Sequence, residues 1–91
     1  MWHTPCFVLF FRKGSREQAA FVAGKKVGKA VQRNRAKRRM RALFLSTASR
    51  VIPGAYILVA KAAILEADYS ELERQWHTAL KRSGAWKKSR D

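Results

Sequence analysis

The sequence predicts an α+β fold, a small sheet covered by helices, in a single domain spanning 1–91. Three observations point there. An aromatic, β-branched run stands near the start, Phe7 to Phe11. A helical-period pattern dense in arginine begins at Gly28, and a wholly apolar run, Tyr56 to Ala60, precedes a second helical pattern. Strands interleaved with helices in so short a chain build one layer of each around one core.

The first strand is expected over Phe7-Val8-Leu9-Phe10-Phe11, flanked by polar residues. Val8 and Phe10 share one of its faces, and Phe7, Leu9 and Phe11 share the other. Gly14-Ser15-Arg16-Glu17 supplies a turn, and a second short run follows at Ala19 to Ala23. Antiparallel pairing of these two runs is the simplest reading. From Gly28, at about 100° per residue, Ala36, Met40, Leu43, Phe44 and Thr47 gather on one stripe. Arg35, Arg38, Arg39 and Arg41 fall on the other side with Asn34, while Arg33 and Lys37 border the stripe. This helix should stop before Pro53-Gly54.

Tyr56 to Ala60 is apolar throughout and reads as a central strand. Asp68 with Glu71 offers a capping box for a second helix. Tyr69, Leu72, Trp76, Ala79 and Leu80 follow helical spacing on it, as core, and Gly84 is a natural stop. The tail, 86–91, is expected to fray. Trp2 and Trp86 receive no role.

Charge bounds the function. Lys and Arg number 20 against 6 Asp and Glu, a formal net charge of +14. Such a balance costs self-repulsion that a polyanion relieves. Nine of the cations lie between Lys25 and Arg41, with no acid among them. Solvated helix faces normally mix signs, because like charges one turn apart repel. Phosphates explain this segment better than solvation does. A bipartite nuclear-localisation pattern (Lys25-Lys26, then Lys37-Arg38-Arg39) is a frequent accident in basic chains. The narrow apolar stripe argues against a membrane-surface helix. No helix-turn-helix pair or zinc ligand set suggests DNA, so no membrane and no DNA partner is expected.

Cys6 is the only cysteine, which excludes an intrachain disulfide and fits a cytoplasmic setting. His3 and His77 are isolated, and the acids Glu17, Glu66, Asp68, Glu71, Glu73 and Asp91 all lie outside the basic segment. No general acid–base pair or metal cluster is visible, so no catalytic residue is assigned and metal sites stay unknown.

The run Lys25-Lys26-Val27-Gly28-Lys29-Ala30-Val31-Gln32-Arg33-Asn34-Arg35-Ala36-Lys37-Arg38 closely resembles the signature of the bacterial ribonuclease P protein family. Its context, strand into helix, agrees, and the resemblance extends over Pro5 to Leu80. Lys29 departs from it, standing where the family usually has Asn. The family also normally begins with a further helix, whereas this chain reaches its first strand almost at once. That helix is therefore either absent or encoded upstream of an internal methionine.

The resemblance implies a left-handed β-α-β crossover, like that of the second domain of ribosomal protein S5, against the right-handed base rate. It implies a protein that binds a catalytic RNA subunit and the 5′ leader of precursor tRNA. The RNA, with its Mg2+, hydrolyses the phosphodiester, and the protein carries no cofactor of its own. It places RNA-subunit binding on Lys25, Lys26, Lys29, Arg33, Asn34, Arg35, Arg38 and Arg41. Leader binding falls on Val8, Phe10 and Lys37, although strand alternation alone leaves Phe10 equally well in the core. The alternative is a non-enzymatic RNA-binding protein, a ribosomal component or an RNA chaperone.

Overall fold

The computed structural model describes residues 1–87. Its elements in chain order are β1 (Trp2–His3), β2 (Phe7–Lys13), β3 (Gln18–Val22), α1 (Ala30–Ser46), β4 (Gly54–Ala60) and α2 (Tyr69–Ser83). Short 3-10 turns at Lys25–Val27, Ala48–Arg50 and Ala62–Leu65 link them. The α+β class holds, with a fourth, two-residue strand that the sequence does not announce.

The sheet order is β1-β2-β4-β3. The expected hairpin between the first two long runs is therefore wrong: β2 and β3 run antiparallel, but β4 lies between them. β4 pairs antiparallel with β2, from Phe7 opposite Ala60 to Lys13 opposite Gly54. It pairs parallel with β3, from Gln18 opposite Ala55 to Val22 opposite Val59. The physical reason is that β4 is the strand with apolar residues at every position after Gly54, so it gains most from a neighbour on each edge. β3 is shorter and begins with Gln18 and two alanines, which suits an edge. The link from Lys13 to Gln18 must then cross two strand spacings, roughly 10 Å, which four extended residues can span. Gly54 permits the close pairing at that end, since a Cβ there would lie 2.4 Å from the Arg12 carbonyl oxygen. β3, α1 and β4 thus form the expected parallel crossover.

Both helices pack on one face of the sheet. Phe7 and Leu9 from β2, Tyr56 and Leu58 from β4, Ala36, Met40, Leu43 and Phe44 from α1, and Leu72, Trp76, Ala79 and Leu80 from α2 are buried in one cluster. Trp76 is its hub, with ring centroids 6.1 Å from Phe7 and 6.4 Å from Phe44. Its indole N–H donates to Thr47 Oγ1 at 3.0 Å, and that hydroxyl donates back to Phe44 O at 3.2 Å. A buried polar pair is thereby satisfied at the end of α1. The predicted stripe of α1 is the buried one in full, Thr47 included. Tyr56, the other buried aromatic with a polar end, donates its hydroxyl to Ile52 O. Burial first, and the charge of Glu17 second, push its phenol up to about 12.

α1 stops at Ser46, before Pro53 as expected, where the Ser46 and Thr47 hydroxyls turn back onto Leu43 and Phe44 carbonyls. Several finer expectations are corrected. Asp68 is the N-cap of α2, but its side chain caps nothing. Glu71 is drawn instead into bonds from Arg74 and Gln75, so the capping box does not form. Tyr69 is 38% exposed and is not core. Of the segment expected to fray, Trp86 bridges Val51 and the Lys87 N–H donates to Arg50 O at 2.8 Å. Residues 88–91 lie outside the described residues.

Candidate nucleic-acid interface

α1 is entered through a glycine that the local chemistry demands. Gly28 has φ +145°, and the Lys29 N–H, at the helix N-cap, donates to Gln32 Oε1 at 2.7 Å. A Cβ at position 28 would lie 2.0 Å from that same oxygen. Glycine therefore lets the Gln32 side chain cap the helix start. The preceding turn buries Val27 and leaves Lys25 and Lys26 exposed, so Lys25, Lys26 and Lys29 cluster about the N-terminal end of α1.

Along the helix, Asn34, Arg35, Lys37, Arg38 and Arg41 are exposed and Arg33 is partly so. Among the described residues no ion pair joins any of these cations to a carboxylate; the one pair present is Arg74–Glu71 on α2. Arg39 differs from its neighbours and corrects the expectation that it faces solvent. Its guanidinium reaches the carbonyls of Ile64 at 2.7 Å, Leu65 at 3.3 Å and Ala67 at 2.6 Å. It is a strut between α1 and the β4–α2 connection. Arg41 is partly engaged as well, with its guanidinium carbon 5.6 Å from the Phe21 ring centroid on β3.

Among the described residues no helix covers the other sheet face. Val8 and Phe10 lie on it, and Phe10 is 39% exposed, which settles the even choice left by alternation: Phe10 is not core. Register adds residues that sequence reasoning missed. Ile57 lies opposite Phe10, Val59 opposite Val8, and Ala20 and Val22 extend the surface onto β3. Ile57 and Val22 are 40% and 44% exposed. A hollow of about 410 Å³ lined by Met1, Phe10, Phe11, Arg12, Ala55 and Ile57 adjoins a second, of about 190 Å³, lined by Gln18, Ala19, Ala20, Ala55, Tyr56 and Ile57. Sharing Ala55 and Ile57, they form an apolar trough across β2, β4 and β3, with Arg12 at one end. Because β4 is apolar on both faces, no pattern in it marked Ile57; Arg12 could have been found from its spacing with Phe10.

Lys37 belongs to another layer. It shares a side of α1 with Arg33 and Arg41, one turn away on each side, and Arg41 reaches the edge strand β3. Lys37 thus stands on the β3 side of the molecule, while Phe10 is two strands away on the opposite sheet face. Among the described residues no three His, Cys, Asp or Glu side chains come together. No described helix is long and apolar enough to cross a membrane.

Among the described residues, an uncovered apolar sheet face and, on the opposite face, a helix whose cations have no acidic partner define a class: small basic α+β proteins built around a parallel crossover. Within it, this chain belongs to the ribonuclease P protein family, whose model, described as Ribonuclease P, matches residues 1–84. The ribonuclease P protein component of Nitratiruptor sp. is 44% identical over 81 residues, covering 89% of this chain and 74% of that relative. The fold is also that of solved relatives. The Staphylococcus aureus RNase P protein superposes with a TM-score of 0.78 at 21% identity, covering 92% of this chain and 80% of that one. The Thermotoga maritima RNase P protein gives 0.75 at 24% identity, covering 88% and 79%.

Proposed function

We propose that this chain is the protein component of a ribonuclease P, binding the catalytic RNA subunit with one surface and the 5′ leader of precursor tRNA with another. The observation that carries the reading is the pairing of a cationic α1, without acidic partners among the described residues, with an open trough behind it. Lys25, Lys26, Lys29, Arg33, Asn34, Arg35, Arg38 and Arg41 grip the RNA subunit. Guanidinium groups do so as bidentate donors to phosphate. Single-stranded leader lies on Val8 and Phe10, where a base stacks on the aromatic ring, and its continuation around the β3 edge brings its backbone to Lys37 in the helical layer. Phosphodiester hydrolysis belongs to the RNA subunit and its Mg2+, and the protein supplies binding and orientation. The crossover is left-handed, and the complex works in the cytoplasm on RNA alone.

The test is a paired measurement on the assembled complex. Arg35→Ala weakens assembly with the RNA subunit and leaves the precursor-to-mature tRNA binding ratio unchanged once assembly is saturated. Phe10→Ala leaves assembly intact and shrinks that ratio by the loss of one stacked base, about 1–3 kcal/mol. Parallel losses of both quantities in both variants would defeat the two-surface reading. Failure of the chain to restore precursor cleavage by a bacterial catalytic RNA at low magnesium would favour a general RNA-binding protein.

A further inference from the structure

A second cationic cluster sits beyond the far end of α1. The Ala48–Arg50 turn follows that helix, and the chain there is clamped to the segment after α2. Ile52 N–H donates to Ala85 O, and Lys87 N–H donates to Arg50 O, each at 2.8 Å. These bonds set the Arg50 guanidinium carbon 5.0 Å from the Trp86 ring centroid, with the His77 ring 5.3 Å from the same indole. Lys87 Nζ reaches back to Ser49 O at 3.4 Å. Among the described residues neither Arg50 nor Lys87 has a carboxylate partner.

Closing the end of the fold accounts for Trp86 and for the backbone bonds. It does not account for two cations placed together there in a chain that already carries +14. A guanidinium stacked on an indole has lost much of its rotamer freedom yet keeps N–H edges for an anion. Its fixed position makes it a better phosphate receptor than a free side chain. We infer that Arg50 and Lys87, positioned by Trp86, form a second anchor for phosphates of the same folded RNA that α1 grips. Between this anchor and Lys29 lie the 17 residues of α1, roughly 25 Å at 1.5 Å per residue. Two anchors that far apart would hold a rigid RNA in one orientation, which a single patch cannot do. The inference rests on α1 being an RNA-binding surface, and the test separates the two.

Binding of the full-length chain to transcribed ribonuclease P RNA is measured over a series of salt concentrations. For the double variant Arg50→Gln, Lys87→Gln, two lost phosphate contacts lower the slope of log affinity against log salt by about 1.4–1.8. Affinity at moderate salt falls about tenfold. Should the double variant be poorly folded, Lys87→Gln alone decides, because it removes one long contact to a carbonyl and still lowers the slope by about 0.7–0.9. Arg35→Ala is run beside them. If Arg35→Ala weakens binding while the Arg50 and Lys87 variants keep the wild-type slope, the second anchor is overturned and the α1 reading stands. If Arg35→Ala itself changes nothing, the α1 reading fails. Weaker binding at an unchanged slope assigns Arg50 and Lys87 a packing role only and likewise overturns the anchor.

Discussion

The two helices lie on the same sheet face and contribute to the same core, yet they are built by different rules. α2 has Asp68 at its N-cap, an acid in its first turn, Lys81 and Arg82 in its last, and Gly84 in the left-handed conformation behind it. It carries charges of both signs, acids toward its start and bases toward its end, and Glu71 accepts from both Arg74 and Gln75. Each of these devices stabilises a helix locally. α1 has none of the charge devices: no acid in its first turn, no cation in its last, and only like charges between. It persists because of the Gln32 cap, four buried residues and the three carbonyls that hold Arg39. A helix that forgoes local stabilisation and relies on tertiary contacts keeps its outer face for something else. On the function proposed above, that face is the one offered to the RNA subunit.

The contrast can be broken most forcefully at the hub. Trp76→Ala removes the side chain that ties α2 to both Phe7 and Phe44 and strips Thr47 of its indole donor. Denaturant unfolding is expected to show a loss of about 3–5 kcal/mol. A loss below about 1 kcal/mol would mean α2 does not organise the core.

A smaller effect distinguishes two arginines four residues apart on α1. Arg39→Ala leaves three carbonyls without their charged donor, and hydrogen bonds to charged groups contribute roughly 1.5–3 kcal/mol. Arg35→Ala, exposed and unpaired by acid, should stay within about 0.5 kcal/mol of the parent. Equal stabilities for the two variants would erase the distinction between a structural and a binding arginine.

The smallest effect is in acid. Hydrogen bonds from Arg74 first and Gln75 second hold the Glu71 carboxyl below its ordinary range. A depressed carboxylate contributes stability above its unfolded value, and that contribution is lost as pH falls through the folded one. Glu71→Gln should therefore slightly flatten the acid limb of a stability–pH profile and leave neutral pH nearly unchanged. An unaltered acid limb would show that Glu71 does not act in this way. α1, which has no carboxylate, offers no counterpart to this titration.

The sequence by itself determined whatever is local in origin. The apolar stripe of α1 follows from residues three and four apart, the stop of α2 from one glycine, and the family from a contiguous run around Arg33-Asn34-Arg35. The division of β2 into two faces was also legible, because its alternation is set by the pleat. Only the tertiary structure decided which neighbour each strand takes, since β2 and β3 look like a hairpin until β4 enters between them. It alone chose which face of β2 is covered, and so brought Phe10, Ile57 and Arg12 to one trough. It separated Arg39 from Arg35 and gave Trp86 its place beneath Arg50. Residues of like chemistry are indistinguishable along a chain; they differ only through carbonyls, rings and strands that arrive from distant positions.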